Sequence, residues 1–380
     1  MKKAIIIFVF LILCIGNESI ATDGEIIQSQ KDSLKISSFI EEAQKYTKEI
    51  FPDIDMDNLL SSAINGNIDN NGIFKGIFNL FGKEVKDTIK ILASILIIIV
   101  IHSIFKTVSE NIGNQSISQI TYYVQYILIV TILMANFTEI IAMTRDTIQN
   151  LVGFMNSLIP ILITLMITTG SIVSANVVQP LLLFAISFIG NMITTIILPI
   201  VLVSTVLGII SQISSKIQID KLAKFFNSSV VWVLGVILTI FVGMLSLEGT
   251  LSSGVDGLTA KTTKAAVSNF IPVVGKVLGD SIDTVLGCAS ILKNAVGIVG
   301  VVVVIGICIT PIVKLTVLSV LYYLASALCQ PIADGKIIKL LDQMGATFKI
   351  LLAITFAVAV MLIIGITLVI KISNSGLMYR

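Results

Sequence analysis

Charged residues are scarce in this chain. They make up 13% of its 380 residues, whereas hydrophobic types make up 55%, and the mean hydropathy is +1.00. A soluble globular domain carries about 25% charged residues. So few charges cannot cover a water-facing surface, and the composition therefore predicts that lipid is the main solvent of this chain.

The residues and motifs that most catalytic sites need are also scarce. The sequence has one histidine, His102, inside an apolar run, where we expect a buried, hydrogen-bonded side chain, with a proton relay as the alternative. No P-loop, GxSxG, HExxH or GxGxxG pattern occurs. We therefore expect no enzymatic activity, no nucleotide site and no cofactor or metal.

A basic surplus and a cysteine framework are lacking as well. Without Lys2 and Lys3 the 25 basic residues become 23, equal to the 23 acidic ones, so nothing points to nucleic acid. No CxxC motif occurs, and outside the N-terminal run the cysteines lie far apart. We expect Cys288, Cys308 and Cys329 to be small packing residues, with a disulfide framework or metal site as the alternative.

The N-terminus has the three parts of a secretion signal. Two lysines precede an apolar stretch from Ala4 to Ile15, and Ser19-Ile20-Ala21 follows as a small-x-small site. The pattern predicts cleavage after Ala21, and an uncleaved anchor is the alternative. A signal ahead of a multi-pass domain implies that the segment after it crosses the membrane.

The segment that such a signal would export is the long polar stretch of the chain, from Thr22 to about Asp87. Apolar residues at helical spacing near its end predict an amphipathic helix on the membrane surface, with packing onto neighbouring helices as the alternative. We divide the chain into a signal peptide (1–21), an extracytoplasmic polar and amphipathic helical segment (22–87) and a multi-pass membrane domain (88–380).

Apolar runs fill the membrane domain and predict an all-α, polytopic membrane protein. They are Ile91 to Phe105, Ile120 to Ile141, Leu151 to Thr169, Val177 to Ile213, Val230 to Leu247, Val296 to Leu328 and Ile350 to Ile370. A crossing needs about 20 residues, so the fourth and sixth runs are over-long, and Pro199 and Pro311 interrupt them. The prediction is about seven membrane segments, or up to nine if both long runs are hairpins.

Two basic linkers indicate the orientation. One carries Lys216, Lys221 and Lys224, and the other carries Lys336, Lys339 and Lys349. Both are predicted to be cytoplasmic by the positive-inside rule. With residues 22–87 on the far side, this placement favours two crossings within the fourth run.

An internal tandem repeat is a further expectation. Leu158-Ile159-Pro160-Ile161 matches Phe270-Ile271-Pro272-Val273, and Leu198-Pro199-Ile200-Val201 matches Thr310-Pro311-Ile312-Val313, both 112 positions apart. Chance is the alternative, because the patterns are short. A duplicated bundle would place Pro199, Pro311 and Lys314 along a central pathway; packed kinks and a snorkelling lysine are the other reading.

The stretch from Asn269 to Asn294 is amphipathic, punctuated by glycine and too polar to span lipid alone. Such a sequence suits an interfacial or re-entrant helix, or a surface used in assembly. The candidate residues for an assembly surface are Pro272, Asp280, Asp283 and Lys293.

The sequence resembles a known family in this region. Phe270 to Gly275, Asp280 to Gly287, Leu292 to Gly297 and Ala325 to Ile332 are similar to the signature stretch of the stage III sporulation protein AE family. The resemblance implies a subunit of a channel complex, or feeding tube, encoded by the stage III A operon of endospore-forming bacteria. It would lie in the mother-cell membrane around the forespore and contact a forespore-membrane partner.

Two functions are therefore expected from the sequence. The first is a membrane subunit of this secretion-like complex, which supports late forespore gene expression and spore formation. It implies oligomeric assembly with other membrane proteins of the operon. The alternative is a stand-alone secondary transporter or permease, which the repeat and the interrupted helices suggest.

Overall fold

A computed structural model describes residues 27, 31, 36–48, 55–65, 70–111, 115–213, 219–270 and 275–378, although not every side chain within them. The elements that the described ranges form are all helical: α1 (Ile36–Thr47), α2 (Met56–Ile64), α3 (Asn70–Asn111), α4 (Gln115–Thr168), α5 (Ile172–Met192), a π-turn (Ile193–Ile197), α6 (Leu198–Ile213), α7 (Asp220–Phe270), α8 (Gly275–Cys329) and α9 (Gly335–Met378). The all-α fold is confirmed. The predicted signal and its cleavage site at Ala21 lie outside the described residues.

Helix α4 joins two of the predicted apolar runs into one rod. The residues between the runs, 142–150, remain helical, although Arg145, Asp146, Gln149 and Asn150 are polar. These residue types are compatible with a helix, and neither proline nor glycine interrupts the join. What the sequence predicts as two crossings is therefore a single helix.

The over-long fourth run is also one rod. Pro199 cannot donate a backbone hydrogen bond to the preceding turn, and the chain takes up this defect in the π-turn that directly precedes α6. The helix then continues to Ile213. The two crossings favoured for this run are not formed, because the mismatch is absorbed within the helix.

Among the described residues, five helices are long and apolar enough to cross a membrane. They are Tyr126–Thr168, Ile172–Gln212, Asp220–Leu247, Thr284–Cys329 and Gly335–Ile372. The count is below the seven to nine predicted, because α4 merges two runs and neither long run folds back. The first predicted run lies in α3, of whose side chains only part is described.

The spanning helices alternate in direction. The Tyr126 hydroxyl donates to the Ile209 carbonyl at 3.0 Å, and a Cβ added to Gly190 would lie 2.4 Å from Val152, so α4 and the α5–α6 rod are antiparallel. Ser326 Oγ donates to the Ile338 carbonyl at 3.4 Å, beside the short connection between α8 and α9. An up-and-down bundle results, as short connections favour.

Helix α8 lies at the centre of this bundle and contacts α1, α2, α3, α4, α7 and α9. Tyr322 and Phe348 pack edge to face with ring centroids 5.2 Å apart, and Phe137 of α4 contacts the same Phe348 at 6.4 Å. At the other end Gly300 lets α4 approach closely, since an added Cβ would lie 2.6 Å from Leu158. These contacts fix the depth of α4 relative to α8.

Helix α1 packs at the end of the bundle opposite the α8–α9 connection. Phe39 and Tyr46 contact Phe154 with ring centroids 5.9 Å and 5.8 Å apart, and Ser157 donates to Glu42 at 2.8 Å. Partial burial and then the negative charge of Glu42 raise the pKa of Tyr46. Along α4, Phe154 lies about 42 Å from Tyr126 at about 1.5 Å per residue, which is more than the thickness of about 30 Å that hydrocarbon occupies in a bilayer.

Candidate functional site

The two basic linkers converge on one cleft. The cleft has a volume of about 930 Å³ and lies where α6 and α8 end and where α7 and α9 begin. Its lining residues are Ser211, Gln212, Asp220, Lys221, Ala223, Lys224, Asn227, Tyr323, Lys336, Lys339, Asp342, Gln343 and Ala346. Lys221, Lys224, Lys336 and Lys339 thus lie at the same end of the bundle, as predicted. Lys349 lies farther along α9, next to Phe348, and Lys216 is outside the described residues.

The charge of the cleft is positive. Four lysines and two aspartates line it, and one aspartate is already occupied, since Lys224 Nζ lies 2.6 Å from Asp220. The lysines come from two linkers more than 100 positions apart in the sequence. A cleft of this charge suits the acidic surface of a partner or anionic lipid headgroups.

Hydrogen bonds between helices connect the inner end of the cleft to the bundle core. Gln343 Nε2 donates to the Thr205 carbonyl at 3.1 Å, and the hydroxyls of Thr205 and Thr347 lie 3.2 Å apart. Gly208 makes room for this contact, because an added Cβ would lie 1.6 Å from Gln343 Nε2. No motif in the sequence points to Gln343, because its contact depends on a helix far away in the chain.

The predicted pathway residues are not brought together. Pro199 is exposed at the start of α6, whereas Pro311 is buried inside an unbroken α8. Lys314 is the one that reaches another helix, since its Nζ lies 3.3 Å from Glu139 of α4, with side chains 26% and 70% exposed respectively. The structure therefore associates Lys314 with α4 and places the two prolines in different surroundings.

The predicted assembly residues are only partly described. Lys293 is completely buried within α8, so it lies inside this bundle rather than on an exposed face of the chain. Asp280 and Asp283 lie near the start of the same helix, but their side chains, and Pro272 altogether, are outside the described residues. Their part in assembly stays a prediction.

The outer face of α4 carries a polar stripe that was not predicted from the sequence. Its exposed residues recur every three or four positions and are mostly polar or small. They are Thr131, Ala135, Thr138, Glu139, Ala142, Arg145, Asp146, Gln149, Asn150 and Asn156. We call this set the α4 stripe. The helical periodicity of its polar residues could have predicted it, but a search for apolar runs alone does not detect a polar face.

The α4 stripe lies at the depth of the most apolar part of the bundle. Its central residues fall between the Glu139–Lys314 pair and the Leu158–Gly300 contact. The facing stretch of α8, from Gly300 to Val313, has no charged residue. A charged side chain at the centre of a lipid-exposed helix costs about 2.5–3.5 kcal/mol on the insertion scale.

Other helices expose apolar side chains at this depth. Ile196 of the α5–α6 rod is 49% exposed, and Val231 of α7 is 53% exposed. Ile196 comes six positions after Gly190, which lies against Val152 of the antiparallel α4, so it lies level with the centre of the stripe. Val231 lies at the level of Ile196, because the Ser204–Ala223 hydrogen bond between α6 and α7 is eight positions from each. The outer faces of the α5–α6 rod and of α7 are therefore suited to lipid, and the α4 stripe is not.

Comparison with known proteins agrees with the resemblance found in the sequence. Residues 54–373 match the model of the family described as stage III sporulation protein AE. A Bacillus subtilis (strain 168) protein named Stage III sporulation protein AE is 30% identical over 306 residues, which is 80% of this chain and 77% of that protein. No solved structure matches the chain.

Proposed function

The chain belongs to the stage III sporulation protein AE family, and from this premise we propose that it is a membrane subunit of the secretion-like channel complex that links mother cell and forespore. Its helices mark it as a membrane protein, and its family gives it a role in sporulation. The family match, which extends over residues 54–373, is the observation that carries this proposal.

The two ends of the bundle support an orientation. The basic cleft fits the cytoplasmic side of the mother-cell membrane, in accordance with the positive-inside rule. Helix α1 packs at the opposite end, on Phe154, and so fits the space between the two membranes. The sequence prediction placed two crossings in α4 and therefore favoured a hairpin in the fourth apolar run. Because α4 crosses the membrane only once, this orientation is reached without that hairpin.

The partners that we propose are other membrane proteins of the stage III A operon and, through them, a protein of the forespore membrane. Four lysines line the cleft and make it positive, and the ends of four helices hold its shape. For the chain itself we propose a role in assembly rather than in catalysis.

A stand-alone secondary transporter is the competing function. This function was suggested by the apolar runs that proline interrupts, because secondary transporters bind substrate where membrane helices are discontinuous. Helix α8 continues through Pro311, and the α5–α6 rod is helical on both sides of Pro199. No specific geometric feature therefore favours the transporter over the complex subunit.

Affinity purification from sporulating cells tests the proposal. A tagged chain is expected to recover other products of the stage III A operon, and a tagged multi-pass membrane protein of unrelated function is the control. A variant with Lys221, Lys224, Lys336 and Lys339 all changed to Gln is expected to recover less of them, because the cleft loses its charge. Recovery of the native chain alone would overturn the proposal.

A further inference from the structure

We propose that the α4 stripe lines a water-filled passage through the membrane, with neighbouring subunits of the complex forming the remaining walls. This inference rests on the proposed function, since one chain supplies only one wall. It assigns to the complex a specific surface of this chain, the outer face of α4 from Thr131 to Asn156.

Lipid is the wrong solvent for the stripe. Glu139, Arg145, Asp146, Gln149 and Asn150 are all exposed on one side of α4. They occupy the middle of the candidate span Tyr126–Thr168. Charged and amide side chains at this depth face a water-filled cavity or the interior of a protein assembly rather than hydrocarbon.

The threonines of the stripe do not distinguish water from lipid. Thr131 and Thr138 donate to the carbonyls of Ile127 and Met134, one turn earlier in the same helix, at 2.8 Å and 2.9 Å. A hydroxyl satisfied in this way is compatible with lipid. The charged and amide residues distinguish the stripe, because their longer side chains extend away from the helix.

Water fits the stripe better than a dry contact with another protein. Carboxylates and an arginine lie within two turns, and a dry interface would need each of them paired with good geometry. Ala135 and Ala142 alternate with the longer side chains and leave space along the stripe. Lys314 reaches Glu139 from α8 and remains 26% exposed, so the polar surface extends beyond a single helix.

Cysteine labelling in membrane vesicles prepared without detergent from sporulating cells tests this passage, because the probe then reaches the membrane that contains the chain. Ala142→Cys and Gln149→Cys place thiols on the stripe, and Ile196→Cys and Val231→Cys place matched controls at a similar depth on the apolar faces. The probe is a membrane-impermeant, positively charged methanethiosulfonate. The native Cys288, Cys308 and Cys329 are buried, and the unsubstituted chain gives their background.

Stripe cysteines are expected to react about tenfold or more faster than the controls, because only a thiol in contact with water ionises readily. Equal, slow labelling at all four positions overturns the passage. So does labelling of the stripe that appears only after detergent extraction, since that result means that another protein covers a dry stripe.

Each labelled sample is also purified by its tag. If the partners of the operon are recovered but the stripe is unlabelled, the passage is wrong and the proposed function stands. If no partner is recovered, the proposed function fails. If the stripe is labelled in a sample from which no partner is recovered, this chain forms the passage by itself. That result overturns the proposal that other subunits form the remaining walls.

Discussion

The outer face of α4 and the outer faces of the α5–α6 rod and of α7 lie at a similar depth in the bundle but differ in chemistry. On the rod and on α7 the exposed side chains include Ile196 and Val231, whereas on α4 they include Arg145 and Asp146. Both surfaces belong to helices that are apolar on average. The difference teaches that the average hydropathy of a span does not identify the solvent of each face.

The largest effect should come from adding a charge to each face. Val231→Arg is expected to reduce membrane insertion strongly, by about 2.5–3.5 kcal/mol on the insertion scale, because its side chain faces hydrocarbon. Ala142→Arg on the stripe is expected to insert almost as well as the native chain. The measurement is the fraction of chain recovered in the membrane and resistant to alkaline extraction. Equal losses of membrane-inserted chain for the two variants would show that the two faces have the same solvent.

A smaller effect is expected from the contact that sets the depth of α4. Gly300→Val forces a side chain against Leu158, where an added Cβ would lie only 2.6 Å away. Overpacking of this kind costs about 1–3 kcal/mol. Gly235→Val is the matched control, because nothing lies within 4 Å of an added Cβ there. Unfolding in mixed micelles measures both, and equal stabilities would show that α4 does not lie against α8 at this level.

The smallest effect is expected from the ion pair at the edge of the stripe. In a double-mutant cycle, Lys314→Met and Glu139→Gln should show a coupling of only about 0.2–1 kcal/mol, because a solvated pair is weak. High salt should reduce it further. A loss of about 3–5 kcal/mol on removing one partner is typical of a buried pair and would mean that the stripe edge is dry.

Much of the fold follows from the sequence, because apolar runs and base-rich linkers report directly on lipid and on orientation. The all-α membrane domain and the shared end of the two basic linkers were both predicted. The number of crossings was not, since it depended on whether residues 142–150 and the stretch around Pro199 remain helical. The polar residues within 142–150 and the proline at 199 each suggested a break in the helix. In the structure both stretches keep helical hydrogen bonding.

The site was less predictable than the fold. Lys314 was predicted to line a pathway or to snorkel, and the sequence does not indicate its partner Glu139, which lies 175 positions away. Gln343 and Thr205 form their contact across two helices that a single sequence does not link. The α4 stripe is local and periodic, so it was readable in principle once the face of α4 that turns outward was known.

Tryptophan quenching tests the contrast between the two faces most directly, because the chain has a single tryptophan. In a Trp232→Phe background, Gln149→Trp and Val231→Trp place one fluorophore on each face at a similar depth. After reconstitution of the co-purified assembly, aqueous iodide should quench the tryptophan at position 149, and phosphatidylcholine with brominated acyl chains should quench the one at position 231. Equal quenching of both by the brominated lipid would contradict the account, because it would place the α4 stripe in hydrocarbon.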